Sequence, residues 1–119
     1  MFDNIFVLLA MLVVKHWYID FVNQSLDEMT GQGIYGNAHG LMHSIKHGAA
    51  TFLIMCCFLA DWPFAVVIGF IDFIIHYHVD YIKVRFGTKD MSTGAFWAQF
   101  GLDQLVHNLT YIWIVWIII

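Results

Sequence analysis

Four long apolar segments each carry ionisable side chains in the middle of the hydrophobic run, and within each segment these recur four residues apart. They are His16 and Asp20, then His43 and His47, then Asp72 with His76 and Asp80, and last Asp103 and His107. A spacing of four stacks each set on one face of its own helix. An ionised Asp at a bilayer centre costs about 2.5 to 3.5 kcal/mol even on the most lenient insertion scale. A cost incurred separately by four helices is most simply explained by one shared buried site. The residue types, His and Asp with a single Glu, point to a metal.

Composition sets the class. Of 119 residues, 61% are hydrophobic and only 12% charged, against about a quarter charged in soluble domains. The expectation is an all-α polytopic membrane protein, with residues 1–119 forming a single integral membrane domain. The apolar opening resembles a signal peptide, but Asp3 stands where a basic n-region belongs, and the run continues to Phe21 without a small-residue cleavage pattern; it reads as a retained span. Cys56 and Cys57 are adjacent and lack a C-x-x-C spacing, so they read as small hydrophobes. A net charge of −4 with no basic cluster argues against nucleic acid as a partner.

Helices are expected over about 4–23, 38–60, 63–85 and 95–119, each near the 20 residues that a bilayer needs. Between the first two, Gln24 to Asn37 is polar and broken by Gly31, Gly33 and Gly36, which predicts a loop or an interfacial segment. Asp61-Trp62-Pro63 reads as an N-cap with proline in the first turn, which makes a tight antiparallel hairpin of the second and third spans. Lys83, Arg85 and Lys89 surround the third loop and Lys46 opens the second span, so the positive-inside rule puts loops one and three in the cytoplasm and both ends outside. Trp62, Trp113 and Trp116 then lie toward the outer interface and Trp97 toward the inner one. In such an up-down bundle all four polar stripes fall in the same, cytoplasm-facing half; Asp103, eight residues into its helix, lies about 12 Å deep.

Imidazoles and carboxylates four apart present two ligand atoms on one helix face, the geometry of helix-borne zinc and di-metal sites. His16, Asp20, His76, Asp80, Asp103 and His107 are the first ligand candidates, followed by His47; His43 lies one turn nearer the interface, and spacing does not choose between the pair. Seven candidates exceed the four ligands of one zinc, so one or two divalent ions are expected. His39 is close to the loop and reads as solvated, and His78 lies off the His76 stripe and reads as packed or interfacial. Asp72 and Lys83 are the candidate catalytic residues. Asp72 could orient an imidazole from beyond the ligands, and Lys83 could balance Asp80 or hold an anionic substrate. Snorkelling is the competing reading for Lys83, and also for Lys15. Gln24, Gln104 and Asn108 flank the stripes. Two other readings stay open on the residues alone. Polar side chains also fasten membrane helices together, and intramembrane Asp and His also mark proton or ion relays.

The ordered set His16-x-x-x-Asp20-Phe21-x-x-Gln24, His47 at the head of an apolar helix, His76-x-x-x-Asp80-x-x-Lys83 and Asp103-Gln104-x-x-His107 resembles the small membrane-protein family known as domain of unknown function 3307, found in bacteria and their phages. The resemblance covers nearly the whole chain. It implies a polytopic protein of the bacterial inner membrane, and a more distant similarity links the His and Asp pattern to membrane-bound metal-dependent hydrolases. His39, His43 and His78 depart from the pattern.

Together these readings predict a four-helix transmembrane bundle with a polar His/Asp core, holding a divalent metal with zinc foremost. The activity expected is metal-dependent hydrolysis of a lipid or lipid-linked phosphate, since only an amphiphile reaches such a site from the bilayer. The partners expected are the lipid bilayer, a lipid substrate and further copies of the chain. The opposing expectation is a non-enzymatic phage or bacterial membrane protein whose polar network is structural.

Overall fold

Each α-helix begins where a short polar side chain takes up orphan backbone N–H groups. Asn4 Oδ1 accepts from Phe6 and Val7, Ser25 Oγ from Glu28, Asn37 Oδ1 from His39 and Gly40, Asp61 from Phe64 and Thr93 from Phe96. In a computed structural model that describes residues 4–119 these caps open α1 (Ile5–Trp17), α2 (Leu26–Gly31), α3 (Ala38–Phe58), α4 (Trp62–Phe86) and α5 (Gly94–Ile118). No strand occurs among the described residues. The acidic Asp3, read against a signal peptide, lies outside them. Asp61 caps α4 through its side chain with Pro63 in the first turn, which closes the α3–α4 hairpin.

Two elements differ from the sequence expectation. The first span is not one regular helix, because α1 passes at Tyr18 into a π-helix, Tyr18–Val22, in which Asn23 N–H donates to Tyr18 O at 2.8 Å. The polar stretch expected as a loop or interfacial segment contains α2, which packs on the start of α3. Serine at its N-cap and Asp27 and Glu28 in its first turn give a six-residue helix enough local support to form.

The segments Ile5–Val22, Ala38–Phe58 and Trp62–Phe86 are long and apolar enough to cross a membrane, with mean hydropathies of 1.9, 1.2 and 1.5. Helix α5 is as long as α4, 25 residues, but Asp103, Gln104, His107 and Asn108 dilute its hydropathy. Around the long helices the contacts run from α1 to α3, α3 to α4, α4 to α5 and α5 back to α1. Helices α3 and α4 meet backbone to backbone. A Cβ added to Gly69 would lie 2.7 Å from Gly48 O, and one on Gly48 would lie 2.8 Å from Gly69 O, so only glycine permits the crossing.

At one end of the helix ring an apolar core gathers Leu8 and Leu12 of α1, Met55 of α3, Ala65 and Ile68 of α4, and Tyr111, Ile114 and Val115 of α5. Toward the other end the buried positions are filled by Lys15, His16, His43, His47, Asp72, His76, Asp80, Asp103 and His107. The outer surface is studded with large apolar side chains, among them Val14, Leu53, Phe70, Leu109 and Ile112. Cys56 and Cys57 are half-buried free thiols.

Candidate metal centre

Lys15 organises one side of the polar cluster. An ammonium has three N–H donors, and Lys15 Nζ places them on His47 Nδ1 at 3.0 Å, Asp72 Oδ2 at 2.9 Å and Tyr111 OH at 3.1 Å. The side chain is 8% exposed, so the snorkelling read from its sequence position does not occur: its partners lie inside the helix ring and satisfy all three donors there. Tautomers follow from this arrangement. Tyr111 OH, accepting from Lys15, donates to His16 Nδ1 at 2.9 Å, and His47 Nδ1 accepts from the ammonium. Both rings therefore turn Nε2 toward Asp20, at 3.0 Å from Oδ2 for His16 and 2.7 Å from Oδ1 for His47.

Asp20 is presented by the π turn, whose wider winding carries its carboxylate to α3 as well as to its own His16. Its Oδ1 is also 3.0 Å from His43 Nε2. His43 Nε2 lies 3.4 Å from Asp80 Oδ2, and Asp80 Oδ1 meets His107 Nε2 at 3.0 Å. Asp103 Oδ1, one turn before His107, sits 3.2 Å from the same nitrogen. Asp72 accepts from Lys15 and, at 2.5 Å, from Thr51 Oγ1, and its other oxygen faces His76 Nδ1 at 3.3 Å. The His76 ring is stacked between His47, centroids 3.6 Å apart, and His107, 3.8 Å apart.

His76 Nε2 is buried without a hydrogen-bond partner among the described residues. With Nδ1–H given to Asp72, that nitrogen holds an unused lone pair, the tautomer that a carboxylate–histidine–metal relay requires. Ligand atoms of His16, Asp20, His47 and His76 all lie within 4.8 Å of one another, as do those of His76, Asp80 and His107. Ligands of a tetrahedral zinc at about 2.0 to 2.2 Å lie about 3.4 Å apart, so the widest pairs in either set would have to close by up to about 1.4 Å. An imidazole nitrogen has one lone pair, so His76 can serve only one of the two sets at a time.

The charges sort themselves into pairs and a remainder. Lys15 pairs with Asp72, Lys46 with Glu28 at 2.5 Å, and Lys83 with Asp103 at 3.1 Å. Lys83 is thus the partner of Asp103 and not of Asp80. Among the described residues the ion-pair contacts of Asp20 and Asp80 are all with imidazoles. These two carboxylates, with His43 between them, form the floor of a cavity of about 620 Å³ that extends past Lys83 to Thr88 and Lys89 in the third loop. Asp72, fully buried, does not reach this cavity; it holds Lys15 and His76 in place.

His43, which spacing alone could not separate from His47, is inside the cluster together with it. Glu28 went unnoticed in the sequence because it lies in the glycine-broken stretch. In the structure α2 brings its Oε2 to 3.4 Å from His43 Nδ1. The Ser25-x-x-Glu28 spacing of a helix start was the available signal. Gln104 Oε1 lies 2.9 Å from His16 Nε2, and Gln24 donates to the Asp20 backbone carbonyl at 2.7 Å. Asn108 and His39 are exposed. His78 is engaged at the loop side, its Nε2 3.0 Å from Tyr35 OH.

The sequence model of the family described as protein of unknown function (DUF3307) matches residues 8–119. No curated protein and no solved structure matches the chain.

Proposed function

The chain belongs to the DUF3307 family, and we propose that it is an integral protein of the bacterial inner membrane whose four long helices span the bilayer around a divalent metal, zinc foremost, and hydrolyse a lipid or lipid-linked phosphate. The observation that carries this reading is the pair Asp20 and Asp80. Every other carboxylate of the cluster has its own lysine at contact distance, while these two are met at that distance by imidazoles alone, in surroundings where an unpaired charge costs several kcal/mol. One divalent cation neutralises them. The imidazole nitrogens around the same two carboxylates are the donors that zinc prefers.

His76, oriented by Asp72, would be a ligand through Nε2, with Asp80 and His107 completing one set, or with Asp20, His16 and His47 completing the other once the Nε2 atoms of these two histidines give up the protons they hold toward Asp20. A bound ion would supply Lewis acidity to a phosphoryl oxygen and to the attacking water. The chain's own residues do the rest. His43 Nε2 faces the cavity between Asp20 and Asp80, and its Nδ1 is backed by Glu28, so it is placed to carry a proton between water and leaving group. Lys83 is the cation within reach of a substrate anion.

Elemental analysis tests the reading. Wild-type protein purified without chelators and supplied with stoichiometric zinc should retain about one ion per chain and release phosphate from phosphatidic acid. Asp20→Asn and Asp80→Asn should insert and fold, since removing an intramembrane charge relieves desolvation, yet lose the metal and the activity, because an amide oxygen is a poor donor to a cation. Near-zero metal in all three would favour a purely structural network or a proton relay running through the same His–Asp contacts.

A further inference from the structure

We infer that the protein takes its substrate sideways from the bilayer, with Lys83 as the hook for a phosphate headgroup and the seam between α4 and α5 as the groove for the attached chain. The inference rests on the metal-hydrolase reading above and names how its substrate is recognised.

Two cavities meet at Lys83 and Gln99, which among the described residues line both. One is the polar-floored chamber over Asp20, His43 and Asp80, about 620 Å³. The other, about 370 Å³, lies along the α4–α5 seam and is walled by Val79, Ile82, Phe86, Leu102 and Val106. Both fall in the size range of small-molecule sites, about 300 to 1,000 Å³. A wholly polar solute gains nothing in the seam, and a hydrocarbon gains nothing over two carboxylates. A ligand that satisfies both is an amphiphile with an anionic head, its charge set against Lys83 at the junction.

The junction is built so that Lys83 can change partners. Its ammonium rests on Asp103 Oδ2 at 3.1 Å, and the same oxygen keeps a hydrogen bond from Gln104 Nε2 at 3.0 Å when the lysine leaves. Lys83 itself is only 30% exposed, and its stem lies along the groove. Gln99 steadies the other post, its Oε1 accepting from Thr88 N–H at 2.9 Å and fixing the third loop over the chamber.

Three probes separate head from chain: dioleoyl phosphatidic acid as its non-hydrolysable phosphonate, dioleoylglycerol with the same chains and no phosphate, and glycerol phosphate with no chains. Native mass spectrometry of zinc-loaded protein released from detergent should show the phosphonate retained about tenfold over dioleoylglycerol, the preference expected of one charge-assisted contact, and glycerol phosphate not retained. Lys83→Met should remove that preference and leave dioleoylglycerol unchanged, whereas Lys83→Arg should keep it. Ile82→Trp, at a groove position that is 58% exposed and therefore tolerant, should lower retention of both lipids about tenfold. Equal retention of the two lipids by wild type, or Ile82→Trp without effect, overturns the inference. Zinc measured on the same samples keeps the two claims apart. Bound zinc without a lipid preference removes this inference and leaves the metal reading, while a Lys83-dependent preference without zinc supports the headgroup hook and removes the metal.

Discussion

The two halves of the helix ring are filled by opposite kinds of matter. At the end formed by the start of α1 and the end of α5, Leu8, Leu12, Met55, Ile68 and Ile114 touch through dispersion alone, and between helices in lipid that contact has little hydrophobic drive behind it. At the other end Lys15, Asp72, His47, Tyr111 and His16 are joined by directed bonds in which each donor has an acceptor. Apolar packing tolerates exchange of one shape for a similar one. A satisfied polar network does not, because removing one member strands the others. The apolar half therefore tells which helices are neighbours, and the polar half tells at what rotation and depth they stop.

Changes that act on one half and spare the other test that contrast. The largest effect is expected at Lys15→Met, which leaves the fully buried Asp72 charge unpaired and should cost about 3 to 5 kcal/mol in a detergent or urea unfolding titration. Adding Asp72→Asn to it should recover most of the loss; failure to recover would mean that the lysine acts through something other than its charge.

Next comes a comparison of two histidines two residues apart. His76→Gln removes the unpartnered Nε2 and should lower phosphate release by about 100-fold or more, whereas His78→Gln, at the loop contact with Tyr35, should stay within about twofold. A similar loss in both would show that the activity senses general packing. In the α3–α4 contact, Gly69→Ala should cost about 1 to 3 kcal/mol by forcing the helices apart, while bound zinc per folded chain stays unchanged. Smallest of all, Thr88→Cys and a cysteine at Ile119 should leave stability and metal untouched. With both ends outside, an impermeant thiol reagent should reach position 119 and not position 88, in a background lacking Cys56 and Cys57.

The helical stripes are legible in the sequence because polar side chains inside apolar runs have only one face on which to gather. The Asp61-Trp62-Pro63 restart is legible for a similar reason, since cap chemistry is local. Depth is legible too: each stripe lies toward the same end of its helix, and His16, His43, His47, His76 and His107 accordingly meet in one cluster of rings, with His47, His76 and His107 stacked. Rotation is less so. Lys15 and His16 are neighbours in sequence, and nothing in a 3.6-residue period says that both turn inward, one toward α3 and α4 and the other toward α5. Glu28 escaped for the same reason, because its meeting with His43 depends on how α2 folds back, a tertiary fact.

The π turn at Tyr18–Val22 makes the candidate centre sensitive to counting. A substitution there keeps the chain length and leaves the wide turn free to persist. The loss of a single residue lets the segment wind as ordinary α-helix, which absorbs the deletion for the chain beyond it but turns residues inside the former wide turn by up to about 100° relative to α1. Asp20 would then leave His43 and His47, though every ligand candidate would still be present in the sequence. Such a shortened relative would look intact to a motif search, and its centre would nonetheless lack the carboxylate that ties α1 to α3.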